Sequence, residues 1–250
     1  MGDPVRTGIA LVLLSAAAFA VMTVSGLRLR RDLLISAIRA LIQLVLVALV
    51  IAWIFTHPAG TFVYLAIMLV AAAFTAYRRI GGDRRDFFAV LLAIAAGSGA
   101  TVAIVSITGA LNFDAQTMLP FSAQMIGGAM ATCAVAGVRL RDDIRDRMVE
   151  FEGYLALGAT YRKAGWQFAT RASERSLLPT LDQTKSAGLV ALPGAFVGLL
   201  IGGATPLVAA QVQLLVLVGL VLVQSITAVI TTRLINPLGY QPGLVRRDVT

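Results

Sequence analysis

Charge is scarce in this chain. Asp, Glu, Lys and Arg make up only 14% of its 250 residues, where a soluble globular domain carries about 25%. Hydrophobic residues make up 58%, and the mean hydropathy is +0.84. This excludes a water-soluble globular protein and implies an integral membrane one. Cysteine is limited to Cys133, inside an apolar stretch, so no intrachain disulfide can form. Histidine is limited to His57 and lysine to Lys163 and Lys185. No His, Cys and carboxylate cluster therefore has metal-ligand spacing, and no glycine-rich loop ends in Gly-Lys-Ser/Thr to cradle phosphate. Any metal ligand stays unknown at this stage. Met118, Met125 and Met130 offer thioethers, but such stripes in apolar helices are more often packing. No nucleophile and base are arranged for catalysis, so the chain is expected to be a non-catalytic subunit with no cofactor of its own.

What is present is a series of uncharged runs of the length that crosses a bilayer, about 20 residues each. They lie at Ile9–Leu27, Leu34–Phe55, Thr61–Tyr77, Phe87–Ala110, Met118–Val138, Thr184–Ile201 and Leu207–Thr232. The expected fold is all-α, a polytopic membrane protein with about seven transmembrane helices. The net charge of +8 is distributed asymmetrically among the loops, which argues for a membrane orientation and against a nucleic-acid partner. The loops at 56–60, 111–117 and 202–206 contain no Lys or Arg. Arg28, Arg30 and Arg31 follow the first run; Arg78, Arg79, Arg84 and Arg85 the third; nine cations from Arg139 to Lys185 the fifth; Arg233, Arg246 and Arg247 the seventh. Cations collect on the cytoplasmic side, so the N-terminus is expected outside and the C-terminus in the cytoplasm of a cell-membrane protein. Arg6 and the small-residue run Ala16-Ala17-Ala18-Phe19-Ala20 also resemble a secretory signal, but the three arginines after it favour a retained anchor.

Without linkers, low-complexity tracts or repeats, one membrane domain over residues 1–250 is the simplest organisation. The segment Arg139 to Leu178 differs in kind, because it holds most of the charge. Leu140, Ile144, Met148, Phe151 and Leu155 recur at three- and four-residue spacing, which predicts an amphipathic helix continuing from span five. Gly158-Ala159-Thr160 would end it. A second helix with Ala164, Phe168 and Ala172 on one side would run to Pro179. The result is a cytoplasmic helical hairpin between spans five and six. It is either a solvated or membrane-surface loop or a knob that docks in a groove of a partner.

Several polar residues fall inside or beside the spans. Arg39 and Gln43 share a helix face, where a charge is a functional hint or a snorkelling side chain. Asp182 and Lys185 are spaced for an ion pair or a gate. Gln124, Gln213 and Gln224 must find partners or face water. Gly194, Gly198 and Gly202 follow Pro193 at four-residue intervals, which suits close helix packing or a hinge.

Two stretches carry a family likeness. Glu152-Gly153-Tyr154-Leu155-Ala156-Leu157-Gly158-Ala159-Thr160 resembles the coupling-loop motif of ABC-transporter permeases, in which a glutamate precedes a glycine by six positions. Leu178-Pro179-Thr180-Leu181-Asp182-Gln183-Thr184-Lys185, then Gly188 to Gly194 with Gly198, Gly202 and Pro206, resembles the signature of FetB-type iron-export permeases, a family that includes plant aluminium-tolerance membrane subunits. Arg39 to Leu44, the Pro120, Gly127 and Met130 stretch, and Gln213 agree with it, whereas Ala195-Phe196 stand where relatives commonly carry two methionines. The resemblance implies a membrane permease, homodimeric, paired with a separate ATPase subunit that binds ATP and Mg. It implies that Glu152, Gly158, Ala159 and Thr160 dock in the ATPase and that Arg39, Gln43, Asp182, Lys185 and Gln213 are translocation or gate candidates, to which Gln124 is added as a polar group at membrane depth. The competing reading is a self-contained channel or secondary transporter. That class would favour a carboxylate at the bilayer midplane, and all 13 acids of this chain fall in expected loops or at span ends.

Overall fold

The computed structural model describes residues 3–26, 30–57, 60–112 and 114–235. Arg28, Arg246 and Arg247, counted above among the cytoplasmic cations, lie outside them. Among the described residues the structure consists of nine helices and one isolated bridge, Ala187 to Ala191. Six of the helices are long and apolar enough to cross a membrane. The chain divides into two compact units, 1–59 and 60–250.

The first unit is a pair of contacting helices, α1 (Pro4–Val24) and α2 (Arg30–Thr56). Asp3 caps α1 by accepting the Val5 N–H at 3.0 Å, and proline at the first turn is tolerated because its missing N–H has no partner there in any case. Both helices expose leucine, isoleucine and valine along most of their length. Such surfaces suit hydrocarbon rather than water.

The second unit holds α3 (Gly60–Ile80), α4 (Arg84–Thr108), α5 (Ala115–Asp146), α6 (Met148–Ala156), α7 (Tyr161–Ser186), α8 (Gly194–Ile201) and α9 (Pro206–Leu234). Its core is built largely from small residues, which let helix backbones approach where lipid supplies no hydrophobic drive. Ala72, Ala73 and Ala76 of α3 and Ala129, Cys133 and Ala134 of α5 are buried with Val90 and Ile94 of α4 and Val216, Leu220 and Val223 of α9. Helix α9 packs against α4, α5, α7 and α8.

The expected spans one to five and seven are each a continuous helix. The expected sixth, Thr184–Ile201, is not. Helix α7 runs through Pro179 and ends at Ser186, a turn follows, and α8 has only 8 residues, about 12 Å of rise. The break has local causes. Gly188 takes φ +87°, and Pro193, which has no N–H to continue a helix, becomes the N-cap of α8. The Ser186 carbonyl accepts the Val190 N–H at 3.0 Å, and the Gly188 N–H donates to the Ala191 carbonyl at 2.9 Å. The first hairpin helix is likewise interrupted, at Arg147, where φ −122° and ψ 37° separate α5 from α6. Pro179 does not end the second one, because α7 bonds around the missing donor for a further two turns.

Candidate functional site

The hairpin is assembled from α6, the turn at 157–160 and the first half of α7. Leu140, Ile144 and Phe151 are buried on one side, and Ala164, Phe168 and Ala172 on the other, so the stripe expected from the sequence is the hairpin's own core. Phe151 meets Tyr161 edge-on at 5.2 Å and Phe168 at 6.1 Å. Burying each phenylalanine contributes about 1.5–3 kcal/mol. The Tyr154 hydroxyl donates to Gln167 Oε1 at 3.3 Å, and Arg175 of α7 pairs with Asp143 of α5 at 3.2 Å.

The tip is closed by a Schellman motif. The Ala159 N–H donates to the Tyr154 carbonyl at 3.0 Å and the Gly158 N–H to the Leu155 carbonyl at 2.9 Å, with Gly158 at φ +84°. A side chain at that φ costs roughly 1–2 kcal/mol. Thr160 then caps α7, its side chain accepting the Lys163 N–H at 3.4 Å. Glu152, Leu157, Gly158 and Thr160 are exposed around this turn, Leu157 by 87%. Partial burial raises the pKa of the Tyr161 hydroxyl beside it. The turn is an exposed, hydrogen-bonded knob with an apolar tip and one carboxylate.

The base of the hairpin is fixed by a contact that the sequence reading misses. Arg141 of α5 donates to Asp86 Oδ2 of α4 at 2.7 Å and to the Ile80 carbonyl at the end of α3 at 2.6 Å. The pair is almost fully buried, with side-chain exposures of 12% and 4%. Asp86 also accepts the Asp83 N–H at 3.1 Å, which ties the α3–α4 turn to the same point. The two residues are 55 positions apart, and only the unusual density of charge around each gives a hint of the pairing.

The second group of candidates surrounds the break. Asp182 and Lys185 form an ion pair at 3.7 Å that is about three-quarters exposed. Gln213 accepts the Phe196 N–H at 3.2 Å and so ties α8 to α9. Gln224 accepts from Thr180, which ties α7 to α9. Two turns below, the Ser173 and Thr232 hydroxyls share a hydrogen bond of 2.9 Å. These contacts run in opposite order along the two segments, so α7 and α8 together lie antiparallel to α9. Gln124 is exposed on α5 and has no hydrogen-bond partner among the described residues. Arg39 and Gln43 are exposed on α2, four positions apart. A Cβ at Gly194 or Gly198 would meet nothing within 4 Å, and one at Gly202 only carbonyls of its own helix, the Gly198 oxygen at 3.3 Å. The close approaches are elsewhere, at Gly82 in the α3–α4 turn and at Gly97, Gly128 and Gly137 within helices. Among the described residues no three His, Cys, Asp or Glu side chains group so as to hold a metal ion.

Comparison with known proteins gives this geometry a context. Residues 5–238 match the family described as "Uncharacterised protein family (UPF0014)". The chain is 36% identical to Protein ALUMINUM SENSITIVE 3 of Arabidopsis thaliana over 208 residues, 81% of this chain and 76% of that protein. It is 33% identical to UPF0014 membrane protein STAR2 of Oryza sativa subsp. japonica over 224 residues, covering 89% and 79% of the two. With the probable iron export permease protein FetB of Escherichia coli (strain K12) it shares 29% identity over 206 residues, 82% and 80% of the two. No solved structure matches it. With its apolar helices and these relatives, the chain is a multi-pass membrane protein of the UPF0014 family.

Proposed function

We propose that this chain is the membrane subunit of an exporter driven by a separate ATPase, and that it works as a homodimer in the cell membrane to move a metal ion or small solute outward. The observation that carries the reading is the knob at Gly158, closed by its own backbone hydrogen bonds and held on a packed aromatic core. A loop that served only to join two spans would not need this construction. The relative named as an iron export permease supports a metal cargo. The charge pattern supports a cytoplasmic location for the knob.

In this mechanism ATP and Mg are bound by the partner. Closure of the partner displaces the docked tip, with Glu152 and Gly158 to Thr160 at the contact. The contacts of Phe151 with Tyr161 and Phe168 tie the tip to α7, so the displacement passes into α7, and through the Arg175–Asp143 pair into α5. Both helices pack on α9, and the Thr180–Gln224 and Phe196–Gln213 bonds carry motion of α9 to both sides of the break. The two states differ in how the partner holds the knob, which is the differential contact an energy-coupled switch needs.

Purification from native membranes tests the reading. An ATPase chain is expected to come down with wild type and to be lost in Glu152→Arg and Gly158→Arg. Glu152 is exposed, so the first variant keeps its fold while reversing a charge at the tip. Wild type recovered in good yield with no ATPase in any sample would overturn the proposal in favour of a self-contained channel or secondary transporter.

A further inference from the structure

We infer that the exposed face of α7, continuing into the unwound segment 187–193, lines a water-filled path through the core of the bilayer. The inference deepens the permease reading and rests on it, since it names the surface that the cargo would pass.

Residues 206–232 of α9 form a run of 27 positions without Asp, Glu, Lys or Arg. A hydrocarbon core of about 30 Å needs about 20 of them. Wherever a window of that length falls within the run, it includes residues 213 to 225. Gln213 and Gln224 are therefore inside the core for every placement of α9. Gln224 holds Thr180 and Gln213 holds Phe196, so the chain between them, with Asp182, Lys185 and the break, is at hydrocarbon depth as well. The midpoint of α9, residue 220, lies between the two anchors.

Helix α7 has two faces. Ala164, Phe168, Ala172, Ser173, Ser176 and Thr180 are buried. Opposite them Glu174, Leu178, Asp182 and Lys185 are exposed at spacings of four, four and three. A carboxylate and an ammonium at this depth are costly in lipid. Irregular backbone is not tolerated there either, unless it is covered by protein or faces a water-filled cavity. At the break, the N-cap Pro193 offers no side-chain hydrogen bond to α8, and Leu189 and Val190 are 91% and 86% exposed. Charged side chains and a non-helical segment on one continuous surface are together accommodated by water. The paired charges of Asp182 and Lys185 suit a small charged or strongly polar cargo.

The buried Cys133 is the only native thiol, so single cysteines can be added to the wild-type chain, which itself serves as the blank. Leu178→Cys, Asp182→Cys and Lys185→Cys are treated with a charged, membrane-impermeant thiosulfonate in vesicles of both orientations. Leu178→Cys is the mild variant should removal of a charge impair folding. Val218→Cys is the control, an exposed α9 position between the two anchors. The reagent attacks thiolate, which forms only where water reaches, so the α7 positions are expected to react at least about tenfold faster than Val218→Cys from one side or both. Equal, slow rates at all of them would overturn the inference. So would an Asp182→Cys chain that forms a disulfide with a second copy and excludes the reagent, since that face would then be a subunit contact. The assay needs neither ATPase nor cargo, so its result stands apart from the co-purification.

Discussion

An Asp86→Ala chain is expected to lose about 3–5 kcal/mol of stability, because the change strands the Arg141 guanidinium in a buried site without its carboxylate. The loss should be visible as a lower unfolding midpoint in detergent. Asp86 and Arg141 are nearly sealed from solvent, and the same guanidinium holds the last carbonyl of α3. Three elements thus meet at one charge. The double variant Asp86→Leu with Arg141→Met is the informative partner. Replacing both members of a buried pair by apolar groups of similar volume is often neutral, so it should recover most of the midpoint. A single variant that unfolds like wild type would mean that water reaches the pair and that it does not anchor the hairpin base.

The second large effect is expected at Gly97. A Cβ there would sit 2.7 Å from the Val223 carbonyl oxygen and would run into the Thr227 hydroxyl. Thr227 is itself engaged with the Ala93 carbonyl at 3.3 Å, so it cannot simply swing away. Gly97→Ala must push α4 and α9 apart and should cost about 1–3 kcal/mol, with Gly97→Val costing more. Gly99, two positions on, has nothing within 4 Å of its Cβ direction. Gly99→Ala is therefore expected to be neutral or slightly stabilising, since alanine favours helix. Thermal unfolding of the two alanine variants side by side measures the difference. Equal midpoints would show that the α4–α9 contact is looser than the structure has it.

Much of this architecture is written locally in the sequence. Helices α1 to α5 and α9 follow from charge-free runs, and the hairpin core follows from the spacing of Leu140, Ile144 and Phe151. Its tip follows from Gly158 and Thr160, because a left-handed residue and a hydroxyl cap are decided within one turn of chain. The break in span six is harder to read. Residues 186–201 are uncharged throughout, and hydropathy measures solvent preference rather than continuity of hydrogen bonding. Gly188 and Pro193 are the signals of the break, yet Pro179 is the same residue type and α7 runs straight through it. The partners of the buried glutamines are illegible for a different reason. That Gln213 and Gln224 need partners is evident from their position in an apolar run, but the groups that satisfy them are 17 and 44 residues away and are chosen by packing. The Asp86–Arg141 pair, and the approach of Gly97 to α9, are equally products of tertiary structure.

The polar character of α7 bears on how the protein is made. The groups that satisfy Thr180 and Ser173 belong to α9, 44 and 59 residues further along the chain. At a synthesis rate of about 5–20 residues per second, that is a wait of about 2–12 s after α7 has left the ribosome. A helix carrying Glu174, Asp182 and Lys185 has little tendency to enter lipid unaided. It is expected to stay outside the hydrocarbon during this interval and to move in alongside α9 once that last helix has been delivered. Nascent chains that stop short of α9 would leave Thr180 and Ser173 of α7 without the groups that satisfy them.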